Sequence, residues 1–167
     1  WALRFLILTL AVTPLRRLGG PNLVRYRRAI GLLAFYYAAL HLTVYLVLDQ
    51  GLDFAAIWAD IVKRPYITVG MLAFATLVPL AVTSNSAMIR RLGGAAWARL
   101  HKLVYVAAAA AALHFNMLVK VWAVEPLTYA AIIAALLGYR LVAYATKPQR
   151  KRVAIPSPRT SVGRGLG

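Results

Sequence analysis

Four runs of apolar residues, at about 29–48, 66–82, 103–119 and 121–144, dominate this sequence. Each is near the length of one bilayer crossing. Of the 167 residues, 62% are hydrophobic and only 14% are charged, a balance that points to lipid rather than water as the solvent. Lipid offers no partners to an open sheet edge, so the runs are expected to be helices. A further apolar segment, 2–12, ends at Thr13-Pro14 and is about half the ~20 residues of a span. The chain opens at Trp1 within that segment, so upstream residues and a further helix are expected before it. The expected fold is all-α, a polytopic transmembrane helix bundle with at least five helices in this chain. Residues 1–146 are expected to form the membrane domain, and the basic, Pro- and Gly-containing stretch 147–167 a disordered cytoplasmic tail.

The connections carry their own signals. Pro79 lies inside the second run, 66–82, and predicts a kink. Pro126 fits the first turn of the last helix. In the longest loop, 49–65, Leu52, Ala55, Ala56 and Ala59 recur at helical spacing beside Trp58, which predicts a short interfacial helix. Ser84, Asn85 and Ser86 read as a turn or cap, and Gly19-Gly20 and Gly93-Gly94 as loop turns.

Net charge is +16. Alternating the loops across the membrane places 16 of the 20 Lys and Arg residues on one side, and all four acids, Asp49, Asp53, Asp60 and Glu125, on the other. The positive-inside rule makes the basic side, with the C-terminus, cytoplasmic. Anionic lipid headgroups, rather than nucleic acid, are the expected partners of that charge.

There is no cysteine, which excludes disulfides, iron–sulfur clusters, thiolate zinc and covalently attached haem within this chain. Ionisable residues in membrane helices are costly and usually functional, so the three histidines stand out. His41 is 12 residues after Ala29 and His114 is 11 after Leu103. Both runs cross in the same direction, so at ~1.5 Å per residue the two imidazoles lie at nearly one depth. His101 precedes His114 by 13 residues, roughly 20 Å shallower and ~140° away on an ideal helix. Either that helix is distorted or two sites are offset around it.

A matched His41–His114 pair suits haem iron held by two axial imidazoles, an arrangement for electron transfer that leaves no open position. Two histidines hydrogen-bonded between helices account for the same spacing equally well. Zinc is a weaker competitor, because no further His, Cys or carboxylate shares that depth. Arg27 precedes His41 by 14 residues, close to four helical turns, so it shares that face at the level of His101. A guanidinium is a poor metal ligand. A haem propionate or a lipid phosphate is the partner expected of Arg27, and the group opposite His101 stays open among water, Arg27 and none. Met117, Tyr36, Tyr37 and Tyr45 lie near the histidines and read first as packing.

With these residues placed, the sequence resembles the MsrQ (YedZ) family, haem-binding membrane subunits of bacterial periplasmic methionine sulfoxide reductase systems. That family lies within the ferric-reductase-like transmembrane group, which also includes the NADPH oxidases. The resemblance covers roughly residues 2–144. It rests on Thr13-Pro14-Leu15, Arg25-Tyr26-Arg27-Arg28 with Gly31, Leu40-His41-Leu42-Thr43, Arg64-Pro65-Tyr66, Thr83-Ser84, Leu92-Gly93 with Trp97, Leu100 and His101, and finally His114. It implies a six-helix subunit whose haem histidines map onto His41, His101 and His114. It further implies one or two b-type haems, an associated flavin mononucleotide (FMN) and electrons drawn from the quinone pool. The recipient would be MsrP, a periplasmic molybdopterin enzyme that reduces methionine sulfoxide in oxidised proteins. The expected location is the bacterial inner membrane.

No GxGxxG motif and no catalytic nucleophile–base or carboxylate pair is present, so the expectation is electron transfer without substrate chemistry in this chain. A ferric or cupric reductase on the same scaffold is the alternative. A proton-coupled transporter is another, disfavoured by the lack of paired intramembrane acids.

Overall fold

The computed structural model describes residues 1–119 and 123–146. Lys120 of the last link, and the segment 147–167 expected to be disordered, lie outside the described residues. Among the described residues, eight α-helices follow one another: α1 (Ala2–Arg17), α2 (Arg27–Val44), α3 (Phe54–Lys63), α4 (Pro65–Val82), α5 (Ser86–Leu92), α6 (Gly94–Leu100), α7 (Leu103–Leu118) and α8 (Val124–Ala145). A 3-10 turn, Val24–Tyr26, leads into α2, and a π-helical turn, Tyr45–Asp49, extends it. There is no strand among the described residues. The all-helical bundle expected from the apolar runs is what forms, with span boundaries close to those read from hydropathy.

Among the described residues, three stretches are long and apolar enough to cross a membrane: Val24–Asp49, Pro65–Val82 and Val124–Ala145. Helices α1 and α7 have 16 residues each, about 24 Å at 1.5 Å per residue. They are shorter than those spans and lie deeper in the bundle, with Leu10 and Val12 of α1 and Ala107 and Ala108 of α7 completely buried. Helix α4 packs most extensively on α7, α1 on α2, and α8 on α7. Small side chains on α7 permit that approach: Ala107, Ala108 and Ala112 meet Leu77 and Leu80 of α4, Leu6 and Leu10 of α1, Ala34 of α2 and Ile133 of α8 in one core cluster.

Two expectations need correction. The first helix does not end before Thr13-Pro14 but continues through Pro14 to Arg17. Proline lacks the N–H that would bond the carbonyl four residues back, which leaves Leu10 O without its helical donor. Arg140 of α8 supplies one: its Nη2 donates to Leu10 O at 2.8 Å. Its Nη1 donates to the Tyr105 hydroxyl at 2.8 Å, and the guanidinium carbon lies 5.2 Å from the centroid of the same ring. A side chain assigned by hydropathy to the basic loop side thus turns inward and joins α1, α7 and α8.

The second correction concerns the short helix of the long loop. It forms as α3, with Ile57 its buried residue, but Leu52, the first residue of the expected row, is not part of it. Leu52 lies before the helix in the left-handed region, with φ of 62°. Asp53 caps α3 by accepting from the backbone N–H groups of Ala55 and Ala56 at 2.9 and 3.0 Å. Phe54, Trp58 and Val62 lie one turn apart on its exposed side. Asp60 ties α3 to the end of α2 by accepting from Gln50 Nε2 at 3.0 Å and the Tyr45 hydroxyl at 3.4 Å.

Between α4 and α7 the loop is more structured than its sequence suggests. Asn85 caps α5 by accepting from Met88 N at 2.7 Å, as its place after α4 predicts, and Gly93 turns the chain with φ of 75°. Helices α5 and α6 have seven residues each, too short to register as periodic patterns. Pro126 falls in the first turn of α8.

Candidate functional site

Helices α2 and α7 make little backbone contact with each other, because α4 packs against both. Across the space between them, His41 and His114 face one another with ring centroids 6.2 Å apart and planes inclined at 67°. The depth match read from sequence is therefore realised as a facing pair. Each histidine sits inside a regular helix, so its position is set by backbone geometry rather than by a loop.

His114 is oriented by α4. Its Nδ1 lies 2.7 Å from the backbone carbonyl oxygen of Tyr66. A carbonyl oxygen can only accept, so Nδ1 carries the proton and Nε2 keeps a lone pair. A carbonyl that fixes tautomer and ring direction in this way is the usual outer support of a metal-binding histidine. His41 is exposed on α2 and makes no side-chain hydrogen bond among the described residues.

The pair fits an iron held by two imidazoles. Metal–nitrogen bonds of about 2 Å on either side of one ion place two ring centroids roughly 6 Å apart. The fixed tautomer of His114 leaves the nitrogen that would ligate unprotonated. Among the described residues no hydrogen bond joins the two imidazoles, and the His114 ring gives its proton to Tyr66 O. Among the described residues, no group of three or more His, Cys, Asp or Glu side chains converges to hold a metal ion.

His101 lies in a different setting, at the other end of α4. The Thr83 hydroxyl donates to Pro79 O at 2.6 Å, so the 3.1 Å contact between Thr83 Oγ1 and His101 Nε2 has the imidazole as donor. The ring of Trp97 stacks on His101 at 3.9 Å, and Trp97 Nε1 donates to Thr83 O at 3.0 Å. Helix α6 ends at Leu100 and α7 begins at Leu103. His101 thus sits at a break between helices, which accounts for its poor helical phase with His114. No second imidazole faces it. Burial, and then the nearby charge of Arg27, lower its pKa below the ordinary histidine value. Half-buried Arg27 is thus electrostatically within reach of His101, as its place on α2 predicts.

Of the other residues considered, Tyr36 and Met117 are exposed, and the remaining two have partners away from the histidines. Tyr37 stacks on Phe5 with centroids 5.5 Å apart, and Tyr45 reaches Asp60. Three participants were not evident from sequence. Tyr66 acts through its backbone oxygen, which no side-chain pattern reveals. Gly70, one turn further along α4, lies against the His114 ring; a lone glycine in an apolar span was the available signal. Arg140 was counted only as loop charge.

The family model described as "Ferric reductase like transmembrane component" matches residues 1–112. Curated relatives from Brucella ovis, Brucella canis and Brucella suis, each named "Protein-methionine-sulfoxide reductase heme-binding subunit MsrQ", are 64% identical over 141 residues. The match covers 84% of this chain and 64% of each relative, so the chain spans a little under two thirds of their length. No solved structure matches it.

Proposed function

The chain belongs to the ferric-reductase-like transmembrane family, and on that footing we propose that it is the haem-binding, electron-transferring membrane subunit of a methionine sulfoxide reductase system. The observation that carries this reading is the His41–His114 pair, two imidazoles 6.2 Å apart on helices that make little other backbone contact. Relatives that share 64% identity are named for haem binding and for methionine sulfoxide reductase, and their name is the second support.

In this reading His41 and His114 would hold the iron of a b-type haem, which would supply reversible one-electron transfer. Two imidazole ligands would suit electron transfer rather than oxygen binding. Tyr66 O holds the His114 ring in the ligating tautomer. Arg27 and His101 form a second layer at the opposite end of α4, where Arg27 provides positive charge for a propionate or phosphate. A second haem at His101 requires its imidazole either to release Thr83 or to ligate through Nδ1. Electrons enter from the quinone pool, with FMN associated, and leave to the periplasmic molybdopterin subunit MsrP, with which the chain pairs as a heterodimer. The basic loops and C-terminus then face the cytoplasm, and the membrane is the bacterial inner membrane.

The test is a reduced-minus-oxidised spectrum with haem quantification on the full-length protein purified from membranes. His41→Ala and His114→Ala should each remove the same low-spin haem. A haem content and spectrum unchanged by both substitutions would falsify the assignment. The family description also accommodates a ferric or cupric reductase; turnover of metal chelates without transfer to MsrP would favour that second reading.

A further inference from the structure

Gly70 stands where no side chain can stand without moving His114. A Cβ built on Gly70 would lie 2.7 Å from His114 Nδ1, 2.9 Å from Cε1 and 3.3 Å from Cγ. All three nearest atoms belong to one imidazole. Glycine in membrane helices commonly serves close approach of two backbones, but here the neighbour is a ring edge. Elsewhere along the α4–α7 contact, Ala107, Ala108 and Ala112 pack with Leu77 and Leu80. The same ring nitrogen that would meet the added carbon is the one donating to Tyr66 O. Tyr66 is four residues before Gly70, so its carbonyl also accepts the Gly70 N–H of the helix ladder. The imidazole N–H and the helical N–H converge on one oxygen, and the ring reaches it across the space a Cβ would fill.

We propose that Gly70 is a positioning residue of the haem site: the missing Cβ creates the slot through which His114 docks its Nδ1–H onto the α4 backbone and turns Nε2 toward His41. This inference rests on the reading of His114 as an iron ligand. The Tyr66 carbonyl makes the His114 ring more electron-donating, since a hydrogen bond from the far nitrogen raises ligand basicity. A methyl at position 70 pushes the ring off that carbonyl and removes both the orientation and the basicity.

The experiment compares Gly70→Ala with Gly138→Ala in the full-length holoprotein. Gly138 is also within a helix, and a Cβ there meets nothing within 4 Å. Gly70→Ala should weaken haem retention roughly 10- to 100-fold, the usual cost of losing an outer support of a metal ligand. It should also change the low-spin electron paramagnetic resonance signature and raise the midpoint potential, two readouts that looser helix packing alone does not move. Gly138→Ala should leave all three as in the wild type. If His114→Ala removes the haem but Gly70→Ala retains wild-type affinity, signature and potential, the Gly70 proposal is wrong and the ligand assignment stands. If His114→Ala leaves the haem intact, both fail.

Should Gly70→Ala not accumulate, the wild type decides. In the reduced, diamagnetic holoprotein, nitrogen-15 histidine spectra should show an exchange-protected Nδ1–H for His114. A freely exchanging proton there overturns the proposal.

Discussion

Replacing Arg140 by methionine keeps much of the length of the side chain and removes its charge and its donors. Two hydrogen bonds of 2.8 Å are lost, to Leu10 O and the Tyr105 hydroxyl, together with the contact to the Tyr105 ring. Bonds to charged groups contribute about 1.5–3 kcal/mol each, and a cation–π contact about 0.5–1 kcal/mol. Those gross figures overstate the loss. Hydrogen bonds within membrane proteins average about 0.6 kcal/mol, because the unfolded state in lipid also finds partners. Burying the guanidinium is costly, and its buried Nε has no hydrogen-bond partner among the described residues. The expected net destabilisation by Arg140→Met is therefore about 1–2 kcal/mol.

A sharper expectation comes from the cause assigned to the Leu10 bond. In Pro14→Ala, the new N–H at position 14 bonds Leu10 O within α1, so Arg140 should matter less. The double-mutant cycle should then show a coupling of about 0.5–1.5 kcal/mol, in the range seen for residues that share a partner. Reversible denaturation of the detergent-solubilised protein, followed by circular dichroism, measures all four corners. Additive effects, or an Arg140→Met protein more stable than the wild type, would show that the guanidinium does not stand in for the missing proline donor.

Asp53→Ala should remove the two capping bonds of α3 and cost about 1 kcal/mol; hydrogen exchange should speed up across Phe54–Lys63 and remain unchanged in α7. For His101 the expectation concerns pH. Its pKa is held below the ordinary value by burial first and by Arg27 second, so the folded chain favours the neutral ring. The resulting stability is fully present above the unfolded histidine value of about 6.5 and is lost as pH falls from there through the folded pKa. Arg27→Gln should raise that pKa and narrow the window, a shift readable as the pH dependence of Trp97 fluorescence in the haem-free protein. A transition that does not move would remove Arg27 from the surroundings of His101.

The spans were legible because lipid imposes one rule on every residue of a run, and length then fixes the number of turns. Helices α2, α4, α7 and α8 begin and end within a few residues of the apolar boundaries for that reason. Matched depth carried the pairing of His41 with His114, since depth depends only on rise per residue and direction. What escaped depended on partners distant in sequence. Proline is a sound stop signal until a guanidinium 126 positions later accepts the role of its missing N–H. The slot at Gly70 exists only once His114 is set beside it, and the Tyr66 carbonyl carries no side-chain signature at all. For α3, the alanine row is a genuine helical pattern, yet one isoleucine settles which face turns inward.

Helix α4 touches both histidine stations, His114 through Tyr66 at its first turn and His101 through Thr83 just past its last. Seventeen residues separate those two contacts, about 25 Å along the axis. One rod therefore acts as a caliper between the two histidines, and its length is a quantity that drift cannot adjust gradually. Inserting a single residue would swing one contact by about 100° around the axis relative to the other. Length variation between descendants of this chain should accumulate in the connections around α3 and before α5, while α4 is inherited at constant length whatever happens to its lipid-facing side chains.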